Sequence, residues 1–344
     1  MLDLRRYLGV AVAVPFLVGG ALAAVPEGER EVVLTFDDPA IVESSGLVAL
    51  DDGRVVTTND SGDQGRVFTV DADGRTVGTT TWGEARDVEA LAPLEGDVLV
   101  GDLGDNAGVR DSVSILRVPV GAGALAADPA SAVELVYPEG PRDAETLMVD
   151  PVSGRVLVAS KVILGGMLYE VPPDAVPPSV GAPAPTEPVR LREIGEVRGF
   201  ATDGAFFPDG RHLVVRDYGS ATVYSWPDLT DVGSVDLPEQ EQGEGIAVEE
   251  VDGDFRVLLS GEGVGSEVLR ARLPQALAEA VAPLPEGVGS PPPEDPAVVT
   301  PPGAYDAPVA TDALDRGPSV GPWLVGGVFL LGVLVVLLRS LRPR

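Results

Sequence analysis

The chain is 344 residues long, enough for one large domain or two small ones, and it carries 24 Lys and Arg against 54 Asp and Glu, a net charge of −30. A body this acidic repels phosphate backbones, so nucleic acid is excluded as a partner; cations, basic partners or simple solubility fit the charge. Cysteine is absent, which excludes disulfides, thiolate metal sites and a cysteine nucleophile.

The N-terminus reads as a signal peptide, residues 1–24. Arg5 and Arg6 precede an apolar run from Tyr7 to Leu22, and Ala21-Leu22-Ala23 fits the small-x-small cleavage pattern. At the other end, residues 320–338 are 19 positions without a charge. As a helix they would span about 28 Å, close to the hydrocarbon thickness of a bilayer. Arg339, Arg342 and Arg344 follow at once, which places a short tail, 339–344, in the cytoplasm and the body outside. Residues 283–319 hold ten prolines between 283 and 318 and little hydrophobic periodicity. They read as an extended, Pro-rich disordered stalk, whose reach at about 3.1 Å per residue is roughly 110 Å. The globular body is then 25–282.

Within that body, short β-branched runs alternate with Asp-Gly, Asn-Asp and Pro-Asp turns, which is an all-β pattern. Glu31 to Phe36 is a first strand. Five units follow, each with an acidic or polar start, an apolar strand, a tight turn, a second apolar strand and an acidic or Gly-rich loop. They begin at Ser45, Glu89, Glu145, Asp203 and Glu244, with spacings of 44, 56, 58 and 41 residues. One or two further strands come after each pair: Arg66–Val70 and Thr76–Trp82, Ser114–Val118 and Val133–Tyr137, Met167–Val171 and Val189–Ile194, Ala221–Trp226 and Gly233–Leu237, then Glu267–Leu273. The last unit lacks a fourth strand, and Glu31–Phe36 is the natural donor to close a ring. Pro274–Ala282 reads as a short closing helix. Periods of this length with two to four strands each specify a single β-propeller of five four-stranded blades. Six is the alternative if Gly121–Ser131 or Pro172–Pro188 conceals a blade.

The turns, Pro208-Asp209-Gly210-Arg211 above all, resemble those of secreted bacterial β-propellers of the NHL, lactonase-like and WD40-like broad group. Asn59–Gly62 (NDSG) and Gly101–Asn106 (GDLGDN) are similar to stretches in exported propeller proteins of actinobacteria. The resemblance covers about residues 40–275 and implies the architecture. Members of that group range from lactonases and phytases to inert scaffolds, so it implies little about chemistry.

In a propeller the innermost strand of each blade lines a central channel, and the residues that begin those strands crowd around one mouth. Here four of the five are carboxylates: Glu89, Glu145, Asp203 and Glu244. Carboxylates held together need protons, cations or a metal ion. Arg86, Arg142 and Arg198 precede three of them closely and are placed to pair; with Lys161 they form the candidate ligand-binding set. A second acidic set ends the second strands: Asp60, Asp63, Asp102, Asp105, Asn106, Asp217 and Glu262, the first five forming the candidate metal set. Oxygen ligands of this kind suit Ca²⁺, although the spacing is not that of an EF-hand, and Asp and Gly are also ordinary turn formers. His212, the single histidine, lies in an alternating strand and reads as a half-exposed strand residue. Trp82, Trp226, Phe206, Phe207 and Tyr218 read as core or inter-blade packing.

Two functions follow as expectations. One is a membrane-anchored extracellular propeller that binds a protein or glycan of the cell envelope, or acts as a scaffold there. The other is a hydrolase of glycosides or phosphate esters that uses Glu89, Glu145, Asp203 or Glu244, for which the separation between two carboxyl groups decides the stereochemistry.

Overall fold

The computed structural model describes residues 30–282, apart from residues 61 and 164. The segments expected to form a signal peptide, a stalk, a membrane span and a basic tail all lie outside the described residues. Among the described residues no helix is long and apolar enough to cross a membrane.

Among the described residues, twenty-two strands form five sheets. Strand β1 (Arg30–Thr35) precedes the first blade, which holds β2 (Ser44–Ala49), β3 (Val55–Asn59), β4 (Gly65–Val70) and β5 (Thr76–Gly83). The second blade holds β6 (Val88–Leu94), β7 (Asp97–Asp102), β8 (Val113–Val118) and, after the edge strand β9 (Gly123–Ala126), β10 (Val133–Val136). The third holds β11 (Ala144–Val149), β12 (Val156–Ser160), β13 (Gly166–Val171) and, after β14 (Val189–Arg190), β15 (Arg192–Val197). The fourth is β16 (Asp203–Phe206), β17 (His212–Arg216), β18 (Ser220–Ser225) and β19 (Asp231–Asp236). The fifth is β20 (Gly243–Val251), β21 (Asp254–Gly261) and β22 (Glu267–Arg272), completed by β1 from the other end of the chain. The protein is a five-bladed β-propeller.

Neither long insertion hides a sixth blade. Each returns to the blade before it. Strand β9 runs parallel to β5 at the outer edge of the first blade, and β14 runs parallel to β10 at the outer edge of the second. The run Val189–Ile194, expected as one strand, is accordingly divided. Leu191 is the crossing point: its N–H still bonds to Val136, and the residues after it pair with β13 in the third blade.

The apolar side chains of the blades meet between neighbours. Five buried clusters correspond to the five interfaces: first with second, second with third, third with fourth, fourth with fifth, and fifth with first. A middle strand is therefore covered on both faces, and β3, β12 and β17 are buried along their whole length. This is why those strands read as continuous apolar runs and not as alternation. Close approach of the blades also governs the turns. Gly210, with φ +66°, lies so near the third blade that a Cβ there would come within 2.6 Å of Val152. His212 is buried with its ring edge-on to Phe207, a correction to the half-exposed reading; an inter-blade core covers the face that alternation alone would leave to solvent. Helix α1 (Gln275–Val281) lays Leu277 and Val281 on the core between the fourth and fifth blades.

Strand β1 pairs antiparallel with β22, Glu31 opposite Arg270 and Thr35 opposite Glu267. Its Leu34, buried to 5% exposure, belongs to the core between the last blade and the first. Leu34→Ala should lower the unfolding free energy by about 2–5 kcal/mol in a urea titration, the cost of a cavity in a packed core. A loss well under 1 kcal/mol would show that the ring does not depend on this strand.

Candidate functional site

The five inner strands β2, β6, β11, β16 and β20 touch one another in a ring. Each begins at the same mouth of the channel. Ser45, Glu89, Glu145, Asp203 and Glu244 occupy equivalent places there, and all are at most 4% exposed. Four of the five strands break register at this point. Glu89 falls between the pairs Val88–Asp102 and Ala90–Gly101, and Glu145 between Ala144–Ser160 and Thr146–Ala159. Glu244 and Gly245 fall between Gly243–Gly261 and Ile246–Leu259, and Gly46 between Ser45–Thr58 and Leu47–Thr57. Three glutamates are thus the extra residues of β-bulges, which re-aim a side chain out of the normal alternation. At Gly46, φ is +65° and a Cβ would stand 2.8 Å from the Leu91 amide nitrogen, so the first two blades close up only with glycine. That closure lets the Ser45 hydroxyl donate to the Glu89 carbonyl at 2.8 Å and to its carboxyl Oε2 at 3.3 Å.

Burial raises every glutamate of the ring. Glu89 is pushed up to about 10, first by desolvation and then by Glu145, Asp60 and Asp87, with a hydrogen bond to Asp60 adding to the shift. Ligand oxygens of Asp60, Asp87 and Glu89 lie within 4.8 Å of one another. Asp87 is raised to about 6 by burial and by Asp60 and Asp143, against Arg110. Glu145 is raised to about 7, again by burial, with Lys161 opposing. Glu244 is raised to about 8 by burial and by Glu145. Its Oε2 has no hydrogen-bond partner among the described residues.

One cation answers this ring at the rim. The Lys161 ammonium pairs with Glu145 and donates to the Tyr218 hydroxyl at 3.0 Å. It also lies 4.8 Å from the Phe200 ring centre and 5.2 Å from that of Tyr218. Burial works to lower its pKa, but Glu145 outweighs burial and holds it raised. Tyr218 is therefore a rim residue, 40% exposed, and not inter-blade packing.

Asp203 behaves differently from the glutamates because β16 has no bulge: it pairs regularly with Arg216. Its Oδ1 accepts from the Gly204 amide at 2.8 Å, and its Oδ2 from the Ile246 amide of the next blade, also at 2.8 Å. Arg216, fully buried, donates to the carbonyls of Gly245 (2.6 Å) and Ser260 (2.8 Å) and to Gln240 Oε1 (2.9 Å). These two residues clasp the fourth blade to the fifth. Asp203 is bound to wall amides and is not placed as a free acid of the lumen.

The arginines expected to neutralise the ring are drawn elsewhere. Arg142 pairs with Glu139 at 3.2 Å and lies over Tyr137 and Tyr169. Arg198 pairs with Asp231 at 2.8 Å, and Arg86 is exposed. Each was captured by a nearer loop group or by solvent. The second acidic set also separates. Asp63 accepts from Arg66 (2.6 Å) and Asn59 (2.9 Å). Asp102 pairs with Arg110 at 2.8 Å and accepts from the amides of Arg86 and Asp87. Asp105 accepts from the amides of Val109 and Arg110, both at 2.9 Å, and Asn106 is exposed. Of that set Asp60 joins the mouth, where Asp87 and Glu89 meet it; the charge of Glu262 reaches Glu244 there, and Asp217 accepts from the Ser220 amide (2.6 Å) and hydroxyl (2.7 Å).

Beyond the acids, the inner strands end in a cavity of about 240 Å³ lined by Leu47, Leu91, Met148, Phe206 and Val248 among others. The channel is acidic at one end and apolar at the other.

The raised acids make stability depend on pH. Each holds its proton to higher pH in the folded chain than in the unfolded one. Above the ordinary carboxylate range the unfolded chain therefore binds fewer protons, and stability falls as pH rises through the folded values. His212, lowered by burial from 6.5, acts in the opposite sense below that value. The melting temperature should then rise as pH is brought from about 9 to about 7, and Glu244→Gln should flatten that slope. A profile that is flat in the unmodified chain would contradict the buried-acid description.

No protein-family model matches the chain. No curated protein matches it either. Among solved structures, Myxococcus xanthus glutaminyl cyclase is similar at 14% identity over 71% of this chain and 97% of its own, with a TM-score of 0.44. A chain of the nidogen/laminin complex is similar at 13% identity over 69% of this chain and 82% of its own, with a TM-score of 0.39. Likeness at this level speaks neither to activity nor to ligand.

Proposed function

We propose that the chain is a membrane-anchored extracellular propeller of the cell envelope that binds a positively charged ligand or partner at its acidic channel mouth. The observation that carries this reading is Glu244, 4% exposed and with a carboxyl oxygen that has no hydrogen-bond partner among the described residues, within reach of the charges of Glu145 and Lys161. A buried carboxylate without a partner is costly, and a bound cation relieves that cost as well as the repulsion among Glu89, Glu145 and Glu244. The surroundings agree: outside residues 1–23 and 339–344, 53 acidic residues face 19 basic ones. Anchoring rests on the uncharged run 320–338 with arginines after it, and export on the signal-like start.

The hydrolase reading is less well supported. Asp203 is held by two amides and Glu145 by Lys161, which removes two of its four acids from free service. The close trio of Asp60, Asp87 and Glu89 is what favours it, because Glu89 stays protonated while Asp87 titrates near 6, a division of roles that acid–base catalysis uses.

If the mouth takes cations, added Ca²⁺ or a short oligolysine should raise the melting temperature of the full-length protein in a concentration-dependent way. That rise should shrink in Glu145→Gln. No shift with either cation at low ionic strength would overturn the reading. On intact cells, protease added outside should remove the propeller and leave the C-terminal tail cell-associated; a propeller protected until lysis would refute the topology.

A further inference from the structure

The chain has 23 arginines and one lysine, and that lysine stands at the channel mouth. Its surroundings have the form of a recognition site for an alkylammonium group. Lys161 Nζ meets a carboxylate (Glu145), a hydroxyl (Tyr218, 3.0 Å) and two aromatic faces, with ring centres 4.8 and 5.2 Å away. The rings of Phe200 and Tyr218 lie 6.0 Å apart at 38° to each other, so they wrap the ammonium from adjoining sides. A compact ammonium charge fits such a box. The chain thus supplies one ammonium in cis.

A second carboxylate begins the next inner strand, whose start touches the Tyr218 loop: a Cβ on Gly243 would stand 3.4 Å from the Tyr218 carbonyl. The charges of Glu145, Lys161 and Glu262 reach Glu244, and that of Glu244 reaches Tyr218. Glu244 is 4% exposed and its Oε2 has no hydrogen-bond partner among the described residues, while Tyr218 is 40% exposed. We propose that Glu244 and the solvent-facing side of Tyr218 form a second ammonium subsite beside Lys161, so that the mouth takes the primary alkylammonium group of a ligand. This rests on the cation-binding reading above and names its chemical class.

The chemistry of the donors selects an ammonium over a divalent metal at this position. Calcium takes six to eight oxygens in its shell. Around Glu244, the neighbouring carboxylate Glu145 already holds Lys161 and is not free to ligate a metal. An alkylammonium needs only one carboxylate to accept its N–H groups and one aromatic face for its charge. The oxygen-rich trio of Asp60, Asp87 and Glu89 is separate from this subsite, and Glu89 and Asp60 share a hydrogen bond there.

The test is a calorimetric titration of the full-length protein at low ionic strength with 1,4-diaminobutane, methylammonium and CaCl₂ in parallel. The expected result is one diamine bound per chain, with affinity reduced about tenfold or more in Glu244→Gln, since a charge-assisted hydrogen bond is lost. Tyr218→Leu, at an exposed ring, should weaken binding by about two- to fivefold and serves as the decisive variant if Glu244→Gln melts at the assay temperature. Calcium binding without amine binding would overturn this assignment and leave the cation reading standing. No binding of any of the three would overturn both. Amine binding that survives unchanged in Glu244→Gln and Tyr218→Leu would place the site elsewhere and also overturn it.

Discussion

The antiparallel pairing of β1 with β22 is the constraint from which the rest of the propeller follows. The cores lie between blades, so a ring left open exposes a core on each side of the gap. The ladder runs past the strands themselves: the Phe36 amide bonds to Ser266 at 3.0 Å, and Asp37 to Gly74 at 2.8 Å. Closing the ring buries Leu34, Phe36, Ile41, Phe68 and Val268 together. Closure also fixes how close the inner strands come. Five strand starts then share one small mouth, and whatever residues occupy them must tolerate one another.

What occupies them is mostly acid, and here burial decides more than repulsion does. For Glu89, Glu145 and Glu244 desolvation is the largest upward push, with like charges second. The two nearby cations answer this in different ways. Arg216 uses its fork on two carbonyls and Gln240 within the wall, where burial lowers its pKa to about 10. It joins blades, and Glu244 Oε2 is left without a hydrogen-bond partner among the described residues. Lys161 is a point charge at the rim and neutralises Glu145 directly.

The blades were legible in the sequence because each is a local device: strand, Asp-Gly turn, strand. Aligning the turns was enough to place Ser45, Glu89, Glu145, Asp203 and Glu244 at one mouth and to name Glu31–Phe36 as the closing strand. The bulges were not legible. A one-residue break inside an apolar run leaves no compositional mark, yet it separates the three glutamates from Asp203. Strand β9 and the division of Val189–Ile194 were hidden for another reason, since the partners of β9 and β14 lie in the preceding blade, 45 positions away for Thr81–Ala126 and 54 for Leu135–Val189. The true partner of Glu145 was within reach. Pairing of Ala144 with Ser160 brings Lys161 back beside the start of β11, and reading the hairpin register would have preferred it to Arg142.

The two ends of the channel act on each other. Each inner strand runs from a carboxylate or serine at the mouth to apolar residues such as Leu47, Leu91 and Met148 at the far end. Water entering from below would screen the acids, but the apolar lining gives it few partners. The field of whatever charge the mouth's acids take on is then directed outward through the mouth, as expected for charges set against low-dielectric walls. A cation in solution meets that potential from one side only. The same walls keep the acids partly protonated while the mouth is empty, so a cation that binds must also release protons. Proton release on binding would therefore be intrinsic to this mouth, following from the depth at which the bulges hold the glutamates.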